Sequence, residues 1–343
     1  MKLRRLIPIL LNNAIWILLL MVFVLFGSLN KAFFSHLNVL NVLFSSSLLG
    51  LLVIGESFTL ITGNFDLSIE STLAMGALLG GWLTVRAGSP DNGAGWMLNH
   101  WVAIAILLAF GLLVGWLNGF FITRMKMNNF VVTLSMLITL RGLMHLIPAG
   151  NTVYNTTMPY NFIGKAKVLG VPLPIYIGIG AFILAHIALK YTPFGRSLYA
   201  IGANREAARA SGINPEKRIR QVYIIAGFLA ALAGWILSAR ITSIPPNLGE
   251  GMTFITMAAA VIGGISLFGG RGNMIGAFGG VLLLSSINAG LNMVDVSPFW
   301  ISTVRGLIIL FAMMIDAQKV RLSNMQIIEN NSSSEPLKSN TTV

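Results

Sequence analysis

The segment Gly202-Ala-Asn-Arg-Glu-Ala-Ala-Arg-Ala-Ser-Gly-Ile-Asn214 lies in the most charged loop of a chain that is otherwise largely apolar. Asn204 can accept a hydrogen bond from a free amide of a first helical turn, and Gly212 can end that helix in a left-handed conformation. Pro215 cannot continue it. The sequence therefore predicts a short helix over 204–212. The small residues, which leave a surface that another protein can approach closely, are Ala207, Ala208 and Ala210.

The composition of the whole chain excludes an ordinary soluble fold. Its 343 residues are 55% hydrophobic and 10% charged, whereas soluble domains are roughly 25% charged. We therefore expect a polytopic protein of the lipid bilayer. The formal net charge is +12, but no basic block with interleaved aromatic residues is present, so nucleic acid is not an expected partner. The absence of cysteine excludes disulfides and thiolate metal sites.

A transmembrane helix needs about 20 predominantly apolar residues. Ten stretches qualify, and the sequence predicts an all-α fold with about ten spans. The first follows a basic N-terminus that resembles a signal peptide, but its apolar run is long and has no clear cleavage site, so we expect an uncleaved span. The predicted spans are 7–27, 39–61, 67–85, 101–122, 130–149, 173–189, 222–241, 252–268, 274–293 and 298–316.

The distribution of basic residues predicts the orientation of these spans. With a cytoplasmic N-terminus, sixteen Lys and Arg fall on the cytoplasmic side, five fall on the other side, and two lie within spans. This bias follows the positive-inside rule. Both termini and the loop at 190–221 are then cytoplasmic. We expect a membrane domain over 1–321 and, because residues 322–343 are polar and without apolar periodicity, a disordered cytoplasmic tail.

Two segments of the chain resemble each other. They are Leu137-Ile-Thr-Leu-Arg-Gly-Leu143 and Ile301-Ser-Thr-Val-Arg-Gly-Leu307, and both place Thr-x-Arg-Gly-Leu inside a span. Because the predicted spans five and ten cross in opposite directions, spans two to five and seven to ten would form an inverted repeat, as in many transporters. The match covers five positions, so chance similarity is the alternative.

The two arginines within spans are costly. A central arginine is penalised by about 2.5–3.5 kcal/mol on insertion scales and therefore faces a polar interior. Arg141 and Arg305 could line or gate a pathway, or form a structural pair with a carboxylate or with helix-end carbonyls. The candidate carboxylates, of which the first is the most deeply embedded, are Glu56, Asp66 and Glu70.

Other polar residues lie where spans begin or share a face. Asp66 can cap the helix that follows it, and Ser68 can serve the first turn of that helix. Asn288 and Asn292 are four residues apart in one span, on the same helical face as Ser285. A stripe of neutral hydrogen-bonding groups suits an uncharged polyol, and equally suits bonding between helices.

The glycine-rich run from Gly263 to Gly280 has a structural explanation. No strand precedes it and no Gly-Lys-Ser/Thr follows, so a phosphate-binding loop is not expected. Gly276 and Gly280 form a small-xxx-small pair for close helix packing, and 269–272 is expected to be a re-entrant turn. The two in-span histidines are isolated. No metal-ligand cluster or Ser/His/Asp set is visible, and we expect no enzyme.

Several of these motifs resemble one family. Glu206-Ala-Ala-x-x-x-Gly212 resembles the cytoplasmic motif of ABC importer permeases. The longer segment Phe194–Asn214 is similar to the permeases of the ribose, xylose, arabinose and galactoside importers. Asp66-Leu-Ser-Ile, Thr139-Leu-Arg-Gly142 and the run from Ala259 to Gly276 follow the order of that family's motifs. The resemblance covers residues 40 to 316.

This resemblance implies a ten-helix permease of the vitamin-B12-importer type, also called type II, in the bacterial inner membrane. Two permease chains form the pore, an ATPase partner binds ATP and Mg²⁺, and a periplasmic binding protein delivers the substrate, a sugar. This chain itself would hold no cofactor and catalyse no reaction. The residues that the resemblance assigns to coupling with the ATPase are Asn204, Arg205, Glu206, Ala207, Ala208, Arg209 and Gly212.

The chain departs from the family around one loop. Gly63-Asn-Phe precedes Asp66 where the family has two glycines and an aliphatic residue, Glu56 stands where a Met or other neutral residue is usual, and Glu70 replaces a common Gly. These departures leave open a heterodimer with a paralogue instead of two copies. They also leave open autoinducer-2, a nucleoside or a branched-chain amino acid as substrate, with Glu56 and Arg141 as paired charges for a zwitterion. A proton- or sodium-coupled carrier working alone, with Glu56 as its ion site, is a further alternative.

Overall fold

The computed structural model describes residues 14–314, apart from positions 89, 155, 298, 302, 305, 308, 309 and 311–313. Regular structure in this part of the chain is almost entirely helical. A short 3-10 helix at Lys31–Phe34 follows the first helix, and a two-residue hairpin, β1 (Lys167–Val168) and β2 (Val171–Pro172), precedes α7. The helices are α1 Ala14–Leu29, α2 His36–Ile61, α3 Ile69–Trp82, α4 His100–Thr123, α5 Asn129–Leu146, α6 Phe162–Lys165, α7 Leu173–Tyr191, α8 Pro193–Ala203, α9 Arg205–Ala210, α10 Pro215–Ile241, α11 Met252–Ile262 and α12 Met274–Met293.

Six of the described helices are long and apolar enough to cross a membrane, namely α2, α4, α5, α7, α10 and α12. The prediction of an all-α, multi-pass membrane protein is therefore confirmed. The predicted spans 7–27 and 298–316 lie partly outside the described residues.

Two predicted spans contain helices that are shorter than expected. The span at 67–85 becomes α3 with 14 residues, and the span at 252–268 becomes α11 with 11 residues. At 1.5 Å per residue these helices are about 21 and about 16 Å long, less than the hydrocarbon thickness of about 30 Å. Apolar composition continues beyond α11, but Gly264 has a φ of +91°, which ends the helix. The predicted spans were too long because an apolar sequence indicates that a segment is buried, but does not distinguish a buried helix from a buried turn.

Helix α10 lies at the centre of the packing and contacts α2, α3 and α4. Glycines allow this close approach, because a Cβ at Gly115 on α4 would lie 2.2 Å from the Tyr223 carbonyl oxygen on α10. On α12, a Cβ at Gly276 or Gly280 would lie 2.0 Å from a carbonyl oxygen of Gly263 or Ala259. The predicted small-xxx-small packing is therefore confirmed, with α11 as the partner of the second glycine.

Candidate functional site

The short helix predicted at 204–212 is α9. The Asn204 side chain accepts a hydrogen bond from the Ala207 amide at 2.9 Å, which satisfies one of the free amides of the first turn. Gly212 follows the helix with a φ of +82°, a conformation that glycine adopts without steric cost. Both predicted ends are confirmed, and Pro215 begins the next helix.

Charged side chains connect α9 to the start of α10. The Arg205 guanidinium lies 3.2 Å from Glu216 Oε1, and Arg209 bonds the same carboxylate. Arg209 also lies 3.3 Å from Glu206, one turn earlier. Exposed ion pairs of this kind contribute about 0–1 kcal/mol each. Their effect is to hold the angle between α9 and α10 while the polar face stays exposed.

One member of the predicted docking surface points inward. Ala208 is buried in an apolar cluster with Ile122, Ile219 and Tyr223. Ala207 and Ala210 remain exposed. The expectation that Ala208 belongs to the surface offered to a partner was therefore wrong. A one-turn helix lying on a protein surface must bury one side, and Ala208 anchors that side.

A backbone contact joins the end of α8 to two other segments. The Gly270 amide donates to the Ile61 carbonyl oxygen at 2.9 Å. A Cβ at Gly202 would lie 1.9 Å from that oxygen, and a Cβ at Gly269 would lie 2.9 Å from the Gly63 nitrogen. We call Ile61, Gly63, Gly202, Gly269 and Gly270 the glycine junction. It fastens α8, which leads directly into α9, to the end of α2 and to the turn between α11 and α12.

A side chain reinforces the same contact. The Tyr199 hydroxyl, on α8, donates to the Gly272 carbonyl oxygen at 2.8 Å. Burial raises the pKa of the Tyr199 phenol above its ordinary value, so the hydroxyl stays a donor well into the alkaline range. The predicted turn at 269–272 is present, with left-handed Gly269 and Gly270. Its contact with α8 has no signal in the sequence, since neither segment shows periodicity toward the other.

The first turns of the two short helices meet. Glu70 lies in the first turn of α3, and its Oε2 accepts from the Thr253 amide at the start of α11 at 3.0 Å. The Thr253 hydroxyl donates to the Leu67 carbonyl oxygen at 3.2 Å. A carboxylate at a helix N-terminus is favoured by the helix dipole and the free amides. Glu70 serves both helices in this way.

Arg141 completes this network from α5. Its Nη2 lies 3.1 Å from Glu70 Oε1, and its Nη1 donates to the Leu248 carbonyl oxygen at 2.9 Å. The sequence offered three carboxylates as partners, and the structure selects Glu70. Arg141 thus pairs with Glu70 and not with Glu56, and Glu56 and Arg141 as paired charges for a zwitterion stay a hypothesis. Arg305 lies outside the described residues, so the inverted repeat stays a prediction.

Asp66 does not cap α3 as predicted. Its Oδ1 accepts from the Ser68 amide at 2.9 Å and from the Ser68 hydroxyl at 2.6 Å, which closes a turn before the helix. Ser68 occupies the cap position without a side-chain capping bond. The reason is a competing local bond, since Asp side chains readily bond the backbone two residues on. The Asp66 amide donates to the buried Glu56 carboxylate at 3.3 Å.

A cavity of about 200 Å³ lies between α2, α11 and α12. Its polar lining includes Ser45, Glu250, Ser285 and Asn288 among apolar side chains. Asn292 instead donates to the Asn288 carbonyl oxygen at 2.7 Å, a bond along its own helix. The predicted polar stripe on α12 thus divides between cavity lining and local bonding. Among the described residues no group of three or more His, Asp or Glu is placed to hold a metal ion.

Known proteins resemble this chain over most of its length. The family described as Branched-chain amino acid transport system / permease component matches residues 38–313. The ribose import permease protein RbsC of Bacillus subtilis is 36% identical over 293 residues, 85% of this chain and 88% of the relative. The L-arabinose transport system permease protein AraH of Escherichia coli is 31% identical over 287 residues, 84% of each chain.

A third relative, the fructose import permease protein FrcC of Rhizobium meliloti, is 31% identical over 310 residues, 88% of this chain and 83% of the relative. No solved structure matches the chain. The family match covers α9 and every helix from α3 to α12. The chain belongs to the permease family described as Branched-chain amino acid transport system / permease component.

Proposed function

We propose that this chain is the membrane subunit of an ABC importer and moves a sugar across the bacterial inner membrane. The relatives named above as ribose, arabinose and fructose permeases support the substrate class. The observation that carries the proposal is the capped helix α9. It lies between Asn204 and Gly212 and exposes Arg205, Glu206 and Arg209. An importer driven by a separate ATPase needs such a surface, and an independent carrier does not.

The architecture that we propose has ten spans in the type II arrangement over residues 1–321, a tail at 322–343, and both termini in the cytoplasm. The charge distribution supports this orientation. The meeting of α3 and α11 at their first turns supports an inverted repeat, because transporters of that kind build their midplane sites from discontinuous helices. The partners are an ATPase that holds ATP and Mg²⁺, a periplasmic binding protein, and a second permease copy or a paralogue.

The mechanism that we propose is alternating access, with force entering at α9. ATP binding closes the ATPase dimer and displaces α9 together with α8. The glycine junction passes this displacement to the end of α2 and to the turn between α11 and α12. Since α2 leads into α3, and since Glu70 holds the first turns of α3 and α11 together, both short helices move as a unit.

An uncharged substrate fits the pathway residues best. The Arg141 charge is neutralised by Glu70, so the guanidinium does not offer a free site for an anion. The cavity beside α12 presents the neutral groups Ser45, Ser285 and Asn288 with one carboxylate, Glu250. Hydroxyl groups of a sugar can donate to all four. Autoinducer-2 and nucleosides, which also carry hydroxyl groups, remain the alternatives within this class.

The absence of native cysteine allows a direct test of orientation and docking. Single-cysteine variants Glu206→Cys and Lys165→Cys are labelled in intact cells and in inside-out vesicles with a membrane-impermeant maleimide. We expect Glu206→Cys to react only in inside-out vesicles and to be protected by the bound ATPase, whereas Lys165→Cys reacts only in intact cells. Labelling of Glu206→Cys from outside, or labelling that the ATPase does not change, would contradict the proposal.

A further inference from the structure

Two buried carboxylates lie together at the turn between α2 and α3. Glu56 is 0% exposed and Asp66 is 3% exposed. The Asp66 amide donates to both Glu56 oxygens, at 3.4 and 3.3 Å. The donors to Asp66 itself are the amide and the hydroxyl of Ser68. The Asp66 carboxylate thus has two short hydrogen bonds, while the Glu56 carboxylate has the long contacts from the Asp66 amide and a contact from the Thr59 side chain.

No positive charge offsets this pair in the described part of the chain. The ion pairs found there involve Glu70, Glu206 and Glu216, and neither buried carboxylate takes part in one. Tyr223 faces the pair from α10, but its hydroxyl donates to the Phe65 carbonyl oxygen and it brings no positive charge. A buried, uncompensated charge costs several kcal/mol, and two neighbouring carboxylates do not both stay ionised.

An independent observation comes from α4. Asn118 is 0% exposed, and its Nδ2 donates to the Ser68 hydroxyl oxygen at 2.9 Å. Its Oδ1 is buried without a hydrogen-bond partner. Because the Ser68 hydroxyl gives its own proton to Asp66, the amide orientation is fixed with the nitrogen toward Ser68. The Asn118 oxygen is then an unused buried acceptor on a side chain that Ser68 links to Asp66, and a buried acceptor without a donor costs about 1–3 kcal/mol.

We propose that Glu56, Asp66 and Asn118 form a site for one small monovalent cation, either sodium or a proton. Carboxylate and amide oxygens are the ligands that hard cations prefer. A single positive charge leaves Asp66 ionised and bonded to Ser68, and neutralises the charge on Glu56. The cation would stabilise the turn at 62–68, which starts at the glycine junction. This site is independent of the transported substrate and goes beyond the proposed function.

The test uses the purified full-length chain in nanodiscs and needs no transport. Thermal unfolding is followed as sodium chloride replaces choline chloride at constant ionic strength, and infrared spectra are recorded for the carbonyl band of a protonated carboxylic acid. The variants are Glu56→Gln and, as a matched exposed carboxylate, Glu250→Gln. If Glu56→Gln does not fold, Glu56→Met replaces it, since Met is an uncharged side chain of similar length.

Sodium occupancy predicts a midpoint of unfolding that rises with sodium in the native chain and in Glu250→Gln, but not in Glu56→Gln. Proton occupancy predicts no sodium effect and a carboxylic-acid band that Glu56→Gln removes and Glu250→Gln retains. In both cases Glu56→Gln is at least as stable as the native chain in choline. The proposal is overturned if neither signal is present, or if Glu56→Gln is less stable than the native chain in choline. A failure here leaves the transport proposal untouched.

Discussion

Replacing Gly202 with alanine is the sharpest perturbation of the glycine junction. The new Cβ would lie 1.9 Å from the Ile61 carbonyl oxygen and 2.4 Å from the Gly270 nitrogen. Ordinary contact begins at 3.4 Å, so the segments must separate by about 1.5 Å. Overpacking of this kind costs about 1–3 kcal/mol. The separation also pulls the Tyr199 hydroxyl away from the Gly272 carbonyl oxygen, and the loss of such a hydrogen bond costs about 0.5–1.5 kcal/mol more.

The assay for this variant measures uptake and ATP hydrolysis in the same preparation. The complex with its ATPase and binding protein is reconstituted in proteoliposomes, and uptake of the radiolabelled sugar that the native complex imports is recorded beside the hydrolysis rate. We expect Gly202→Ala to lose at least tenfold in uptake while hydrolysis falls much less, because the docking face of α9 is unchanged. The matched control is Gly180→Ala, a helical glycine whose Cβ would meet nothing within 4 Å.

The control is expected to stay within twofold of the native chain in both rates. Native uptake by Gly202→Ala, at native protein levels in the membrane, would refute the claim that the junction transmits force. A parallel loss of uptake and hydrolysis would refute it as well, because it would show damage to docking or folding.

Gly212, the Glu70–Arg141 ion pair and the cavity beside α12 each allow a further prediction. Gly212→Val should uncouple ATP hydrolysis from uptake, whereas Gly212→Asn should be tolerated. The reason is that nothing crowds this position, so only its positive φ matters, and Asn adopts a positive φ far more readily than Val. Equal uptake by the two variants would contradict this reasoning. In a double-mutant cycle on thermal stability, the double variant Glu70→Ala with Arg141→Ala should be about 1–3 kcal/mol less destabilised than the sum of the two single changes. Additive effects would show that the ion pair does not contribute to stability. Asn288→Leu, which alters the cavity, should reduce uptake per ATP hydrolysed more than Asn292→Leu does. An equal loss of uptake in the two variants would show that the cavity is not part of the substrate pathway.

The sequence was sufficient for features that depend on local chemistry. The cap at Asn204, the left-handed Gly212 and the small-residue packing of α12 each follow from a residue type and its neighbours, and each is present. The membrane class follows from composition alone. The family follows from motifs that stand in a fixed order, and the matching relatives confirm it.

Features that depend on distant segments were not predictable. The choice of Glu70 as the partner of Arg141 depends on how α3 and α5 pack, and the sequence left three carboxylates open. The inward position of Ala208 depends on the apolar cluster beneath α9, which comes from α4, α5, α8 and α10. The glycine junction involves three separated segments, and a glycine in a sequence does not reveal what approaches it.

ATP-driven sugar uptake tests the central proposal most directly. Proteoliposomes contain the chain and its ATPase, with ATP on one side. Binding protein and radiolabelled ribose, arabinose or fructose, the sugars named for the relatives, are on the other side. Uptake of each sugar is measured with and without proton and sodium ionophores. The account predicts uptake that requires ATP, the ATPase and the binding protein, and that ionophores leave unchanged. Uptake by the chain alone, without ATP and abolished by an ionophore, would contradict it and would establish an ion-coupled carrier.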